Sequence, residues 1–102
     1  DVLCAFTDQT IDSGSTIHSR VFAPNLGIIE DPATGSAAGA AGAYLYKNKL
    51  LPNDCNNIII EQGHMVGRPS TLFVTIEQNK NEIQSIQVGG ESLILIKGEI
   101  SV

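Results

Sequence analysis

One run of small residues constrains the fold of this chain more than any other feature. From Gly35 it reads Gly-Ser-Ala-Ala-Gly-Ala-Ala-Gly-Ala-Tyr-Leu-Tyr and continues through Lys-Asn-Lys to Lys49. Alanine favours a helix, whereas each interior glycine costs about 1 kcal/mol relative to alanine. Gly35, Gly39 and Gly42 recur at i, i+4 and i+7, so they share one face that another backbone or a ligand can approach closely. Because residues 37–45 carry no charge, we expect this helix to be buried on all sides.

Short segments typical of β-strands lie on both sides of this helix in the sequence. They span residues 2–6, 16–23, 58–61, 71–77, 82–88 and 93–102. Pro24, Asn25 and Gly27 indicate a loop before the helix, and no βαβ repeat is present. We therefore predict a single α+β domain in which a curved, barrel-like mixed β-sheet wraps round a central α-helix.

Composition and charge exclude several classes of protein. Hydrophobic residues make up 42% of the chain and charged residues 17%, which is typical of a globular protein and not of a disordered one. The net charge of −5, with only six scattered basic residues, argues against a nucleic-acid partner. No apolar stretch reaches the roughly 18 residues of a membrane helix. Cys4 and Cys55 show neither zinc-ligand nor disulfide-framework spacing, so we predict reduced thiols in a cytoplasmic protein.

The segment that leads into the helix combines acidic and hydroxyl side chains with a glycine at the first turn. It reads Glu30-Asp31-Pro32-Ala33-Thr34-Gly35-Ser36-Ala37. The first turn of a helix has unpaired N–H groups and partial positive charge, so it suits a carboxylate or a phosphate. Asp31 has two interpretations. It is the N-cap, with Pro32 at the first helical position, or Thr34 is the cap and Asp31 is a free carboxylate beside the anion site. A free carboxylate in that place can act as an acid or a base.

Other polar residues have a structural and a functional interpretation. Arg20 binds an anionic substrate, orients Asp31, or forms a structural ion pair beside the loop. His18 and His64 are half-buried structural residues or catalytic groups, and no base or nucleophile lies beside either in the sequence. Ser36 lacks the Gly-x-Ser-x-Gly setting of a hydrolase nucleophile, because two alanines follow it.

Several motifs together resemble one protein family. Ser19-Arg20-Val21-Phe22-Ala23-Pro24, followed by the segment of residues 30–37, resembles the PhzF family of phenazine-biosynthesis proteins. Glu61-Gln62-Gly63 with Gly67-Arg68-Pro69-Ser70 matches the next landmark of that family, and the resemblance covers nearly the whole chain. It implies a fold similar to that of diaminopimelate epimerase, in which two lobes each wrap a sheet round a helix and enclose the active site. Residues 1–102 then correspond to the C-terminal lobe, and the N-terminal lobe is absent from this sequence.

The resemblance also implies a function. Members of the family are cofactor-independent isomerases that transfer a proton on a small, carboxylate-bearing metabolite, with carboxylates as acid and base and without a metal. Asp31 is the acid/base residue that the resemblance implies for this lobe, and Arg20 and Glu30 would support it. The implied substrate-binding residues, which would hold the substrate carboxylate or stabilise enolate charge, are Thr34, Gly35, Ser36 and Ala37.

Activity of this kind requires a group on each side of the substrate. One lobe alone is therefore expected to be inactive, and we expect either the missing N-terminal lobe or a second copy of the chain to complete the site. The alternative is a non-catalytic binding or assembly module derived from such a lobe. In that case the exposed cleft face would favour dimerisation.

Overall fold

The computed structural model describes residues 1–52 and 55–102. Within these ranges the chain forms one α-helix, two short 3-10 helices (Pro24–Leu26 and His64–Val66) and six strands. The strands and the α-helix are β1 (Leu3–Thr7), β2 (Ile17–Ala23), β3 (Ile28–Asp31), α1 (Gly35–Lys47), β4 (Asn57–Gln62), β5 (Ser70–Asn79) and β6 (Glu82–Gly90). The predicted α+β class, with a mixed sheet packed against a single α-helix, is confirmed.

The strands form one sheet in the order β1-β2-β4-β5-β6, and β3 pairs with β2 outside this path. Strands β2 and β4 are parallel, and all other pairs are antiparallel. The sheet stays open and does not close into a barrel. No helix in the described ranges is long and apolar enough to cross a membrane.

Helix α1 buries one face against the sheet. Its buried side chains Ala38, Ala41 and Leu45 pack in one core with isoleucine, leucine and valine side chains of the strands. The opposite face is exposed at Ser36, Ala40 and Tyr44. The expectation of burial on all sides is therefore wrong, because one open sheet covers only one side of a helix.

The glycines of α1 allow the helix to approach the sheet closely. A Cβ atom added to Gly42 would lie 2.8 Å from Val74 Cγ1, and one added to Gly39 would lie 3.4 Å from Val88 Cγ2. At Gly39 and Gly42 the predicted glycine face thus contacts side chains of the sheet and not another backbone. This close packing offsets the low helix propensity of glycine.

The structure also differs from the prediction at the end of the helix, in one strand that was missed and in one strand that is absent. Helix α1 ends at Lys47 instead of Lys49, and Lys49 itself has a left-handed φ of 55°. Strand β3 was not predicted. The predicted strand of residues 93–102 is wrong, because residues 91–102 are exposed and have no regular secondary structure. Strand propensity reflects the fit of a segment to neighbouring strands, and no described strand pairs with this tail.

Candidate functional site

The candidate site lies where the ends of two strands meet on the same edge of β2. Strand β4 runs parallel to β2 and ends at Gln62, which pairs with Ser19. Strand β3 runs antiparallel to β2 and ends at Asp31, which pairs with Val21. The two strands therefore approach each other along one edge, and their last residues lie side by side. This topology brings together residues that are about thirty positions apart in the sequence.

Asp31 closes strand β3 and does not cap the helix. The helix begins at Gly35, and Thr34 occupies the N-cap position in an extended conformation. The interpretation of Asp31 as the N-cap is therefore wrong. The Thr34 hydroxyl makes no capping hydrogen bond and donates instead to Asp31 Oδ2. Asp31 thus remains a carboxylate beside the helix N-terminus, as the second interpretation predicted.

Buried Gln62 connects these groups. Its side-chain amide Nε2 donates to the backbone oxygen of Asp31 at 2.7 Å and to Thr34 Oγ1 at 3.0 Å. The Ser19 hydroxyl lies 3.5 Å from Gln62 Oε1 and donates to it. Sequence reasoning gave no role to Gln62 or Ser19. The Glu61-Gln62-Gly63 motif, which carries part of the family resemblance, was the available signal.

The first turn of α1 presents backbone N–H groups. The first hydrogen bond of the helix joins the N–H of Ala38 to the carbonyl oxygen of Thr34 at 3.0 Å. The N–H groups of Gly35, Ser36 and Ala37 therefore precede the helical ladder, and no Thr34 side-chain oxygen caps them. Gly35 and Ser36 are exposed. This turn has the geometry of an anion site. The substrate-binding role of Thr34, Gly35, Ser36 and Ala37 stays a prediction.

A cavity of about 540 Å³ adjoins this turn. It lies between the start of the helix, at Ala33 and Gly35, and strands β5 and β6 with the segment that follows β6. Asp31 is not among its lining residues. A second cavity, of about 750 Å³, lies at the other end of α1 beside Tyr46 and Lys47. It contains none of the predicted site residues.

Arg20 forms an ion pair with Glu30. Its Nε donates to Glu30 Oε1 and its Nη2 to Glu30 Oε2, both at 2.9 Å, and the guanidinium lies 5.1 Å from the centre of the Phe22 ring. The hydrogen bond from Arg20 holds the pKa of Glu30 below its ordinary value. The structural interpretation of Arg20 is therefore the one realised in this chain. Supporting roles for Arg20 and Glu30 at the site stay predictions.

Both histidines lie beside buried Glu61. His18 Nδ1 lies 3.0 Å from Glu61 Oε2, and His64 Nε2 lies 3.7 Å from the same oxygen. The N–H groups of Ile11 and Asp12 donate to Glu61 at 2.9 Å and 3.1 Å. The cluster therefore fastens the loop after β1 to the end of β4, which is a structural role.

Among the described residues, His18, Glu61 and His64 also have the spacing of metal ligands. One ligand atom from each lies within 4.8 Å of the others. The second ring N–H of a metal-bound histidine almost always donates a hydrogen bond to an acceptor. Within the described chain, the buried Nδ1 of His64 has no such partner, and both oxygens of Glu61 already accept backbone hydrogen bonds. These contacts favour the structural interpretation of His18, Glu61 and His64 over a metal site.

Replacing Glu61 with glutamine should destabilise the fold in a pH-dependent way. Burial alone raises the pKa of Glu61, but hydrogen bonds from His18 and from the N–H groups of Asp12 and Ile11 outweigh it and lower that pKa below 4.5. Ionised Glu61 therefore stabilises the fold above about pH 4.5, and this contribution is lost as the pH falls through the lowered pKa. We expect Glu61→Gln to reduce the free energy of unfolding by about 2 kcal/mol at pH 7.

Denaturant unfolding between pH 7 and pH 3 measures this effect. The difference in stability between the wild type and Glu61→Gln should shrink as the pH falls below about 4.5. Glu99→Gln, in the exposed tail, is the matched control and should leave stability unchanged at pH 7. Equal stability of Glu61→Gln and the wild type at pH 7 would contradict the anchoring role of Glu61.

Comparison with known proteins gives consistent matches. The phenazine biosynthesis-like protein family matches residues 1–98. An uncharacterized isomerase of Clostridium acetobutylicum is 39% identical over 98 residues, which cover 93% of this chain and 32% of that protein. The trans-2,3-dihydro-3-hydroxyanthranilate isomerase of Pseudomonas aeruginosa is 33% identical over 100 residues, which cover 94% of this chain and 36% of that protein. The crystal structure of a Bacillus anthracis phenazine biosynthesis protein of the PhzF family matches with a TM-score of 0.67 at 30% identity, and the match covers 87% of this chain and 31% of that one. The chain thus spans about a third of the length of these relatives.

Proposed function

Because this chain belongs to the phenazine biosynthesis-like (PhzF) family, as its motifs predicted, we propose that it is one lobe of a cofactor-independent isomerase. The reaction is a proton transfer on a small, carboxylate-bearing metabolite. Two of its relatives in species of Pseudomonas are named as isomerases of trans-2,3-dihydro-3-hydroxyanthranilate, an acid of this class. A cytoplasmic location remains part of the proposal.

The observation that carries the proposal is the position of Asp31 beside an uncapped helix N-terminus. An acid/base residue moves a proton at carbon, and nearby donors stabilise the negative charge that develops on the substrate. Here Asp31 and the N–H groups of Gly35, Ser36 and Ala37 belong to seven consecutive residues, and the hydroxyl of the N-cap residue Thr34 contacts the Asp31 carboxylate. The substrate carboxylate would bind these N–H groups, and Asp31 would take up or deliver the proton.

A second lobe or a second copy of the chain is part of the proposal, because the described chain leaves apolar surface exposed. Leu93, Ile94, Leu95 and Ile96 of the tail are each at least 77% exposed, and Leu3 of β1 is 63% exposed. Apolar surface of this kind marks interaction sites. Either an N-terminal lobe or a second copy of the chain would cover it and supply the partner acid/base group. Light scattering at several concentrations distinguishes a dimer from a chain that needs a different partner.

The same exposed surface favours the alternative function, a non-catalytic binding or assembly module. The two functions differ in what they require of Asp31. An assembly module needs the apolar surface and tolerates loss of the carboxylate, whereas the isomerase needs both.

A carboxylate titration tests the substrate-binding part of the proposal on this chain. With benzoate as the probe, the backbone amide NMR signals of Gly35, Ser36 and Ala37 should shift most. The variant Gly35→Pro removes one N–H donor, and proline suits the first helical position after an extended residue such as Thr34. We expect it to bind benzoate about tenfold more weakly than Gly35→Ala, which keeps the N–H.

The alanine variant is a matched control because a Cβ added to Gly35 meets only Val88 Cγ1, at the ordinary distance of 3.9 Å. Equal affinity of the proline and alanine variants would show that this turn does not hold the carboxylate. Shifts concentrated elsewhere in the chain would lead to the same conclusion.

A further inference from the structure

We infer that Gln62 is a positioning residue of the candidate site. Its buried amide sets the direction of the Thr34 hydroxyl, so that this hydroxyl holds one oxygen of Asp31 and leaves the helix N-terminus uncapped. The catalytic meaning of this arrangement rests on the proposed function, whereas the arrangement itself is testable without it.

The orientation of the Gln62 amide follows from its partners. The backbone oxygen of Asp31 can only accept a hydrogen bond, so the group 2.7 Å from it must be the NH₂ of Gln62. The amide oxygen then faces Ser19, whose hydroxyl can donate to it. The opposite orientation would place two oxygens against each other. Gln62 is only 1% exposed, so water does not compensate for a wrong orientation.

The direction of the Thr34 hydroxyl follows in turn. One N–H of the Gln62 amide is used by the Asp31 backbone oxygen, and the other points at Thr34 Oγ1, 3.0 Å away. Thr34 Oγ1 therefore accepts from Gln62, and its own proton is directed to Asp31 Oδ2. Within the described chain, Asp31 Oδ1 accepts no hydrogen bond from another side chain, so it is the oxygen available to exchange a proton with a substrate.

The same chain of hydrogen bonds keeps the helix N-terminus open. Threonine at an N-cap ordinarily accepts from an N–H of the first turn and satisfies it. Here Thr34 Oγ1 is engaged by Gln62 and Asp31, and it makes no capping bond. Gln62 thus serves both halves of the site. It fixes the carboxylate of Asp31 and reserves the N–H groups of the first turn for a ligand.

Two pairs of variants test this inference on the chain itself. Thr34→Val removes the hydroxyl with little change in shape, and Thr34→Ser retains it. Gln62→Met removes the amide at similar size, and Gln78→Met makes the same change at an exposed position. The readout is the NMR resonance of the Asp31 carboxylate carbon. We expect it to shift in Thr34→Val and Gln62→Met and to stay at the wild-type position in Thr34→Ser and Gln78→Met.

Turnover supplies a second readout. It is measured on the proposed two-lobed assembly, that is, this chain together with the N-terminal lobe or second copy that completes the site. The substrate tried is trans-2,3-dihydro-3-hydroxyanthranilate. Thr34→Val and Gln62→Met should each lower kcat about 10- to 100-fold with a smaller change in KM. Thr34→Ser should keep kcat within about threefold of the wild type. The double variant should be no worse than the more impaired single variant, because both changes break the same hydrogen-bond chain.

The outcomes separate this inference from the proposed function. An Asp31 carboxylate resonance that is unchanged in Gln62→Met would overturn the positioning role of Gln62, whatever the activity of the protein. A resonance that shifts as expected, in a protein whose turnover does not need the Asp31 carboxylate, would uphold the hydrogen-bond chain and overturn the proposed function instead. Backbone amide spectra of Gln62→Met and Thr34→Val that match the wild type outside the site confirm that both variants are folded.

Discussion

Turnover should fall about 10²–10⁴-fold when Asp31 is replaced with asparagine, because the side chain loses its ability to accept and deliver a proton. Asparagine has nearly the same shape and can still accept the hydrogen bond that Thr34 donates. The fold and the loop should therefore survive, and the loss should appear mainly in kcat. The measurement is steady-state turnover in the two-lobed assembly.

Asp8→Asn makes the same chemical change at an exposed residue outside the site, and it should leave turnover unchanged. Turnover of Asp31→Asn within about threefold of the wild type would remove Asp31 from the role of acid/base residue. The assembly module would then be the better account of this chain.

Replacing Gly63 with alanine should have the largest effect on stability. Gly63 has a left-handed φ of 89°, and a Cβ atom there would lie 2.2 Å from the carbonyl oxygen of Arg68 and 2.6 Å from that of Pro32. Both atoms belong to the backbone and cannot move aside cheaply. We expect Gly63→Ala to reduce the free energy of unfolding by about 4 kcal/mol or more. Because Pro32 follows Asp31, the change should also displace the candidate site.

Gly67 provides the matched control for this prediction. It has a similar left-handed φ of 70°, but a Cβ atom there would have no heavy atom within 4 Å. Gly67→Ala should therefore reduce the free energy of unfolding only by the strain of the left-handed backbone conformation, about 1 kcal/mol. Urea unfolding of both variants gives the comparison. Equal losses in the free energy of unfolding for the two variants would show that Gly63 does not pack closely against Pro32 in solution.

The sequence predicted the helix and the class of fold because their signals are local. The alanine-rich run, the glycines that share a face and the alternating strands each depend on neighbours a few positions away. The prediction that the Asp31 carboxylate lies beside the helix N-terminus without capping it also came from one short segment. Its competing interpretation as an N-cap was wrong, since Asp31 pairs with Val21 at the end of β3.

The parts that sequence reasoning missed depend on contacts between distant segments. Strand β3 contains the exposed Ile28 and Ile29, so it has no alternating pattern to detect. The contact of Gln62 with Asp31 and Thr34 exists because β3 and β4 share an edge of β2, a pairing that local periodicity does not encode. For residues 93–102 the prediction was wrong for the opposite reason. Its local pattern indicates a strand, but it pairs with no described strand.

Conversion of substrate in D₂O tests the central claim most directly, namely that Asp31 transfers a proton at carbon without a cofactor. The experiment uses the proposed two-lobed assembly, dialysed against a chelator, with the Pseudomonas relatives' trans-2,3-dihydro-3-hydroxyanthranilate as the substrate tried and NMR of the product. A carboxylate that exchanges its proton with solvent predicts deuterium at the newly protonated carbon in the wild type, and little product from Asp31→Asn in the same time. Product without solvent deuterium, or equal conversion by Asp31→Asn, would contradict the account.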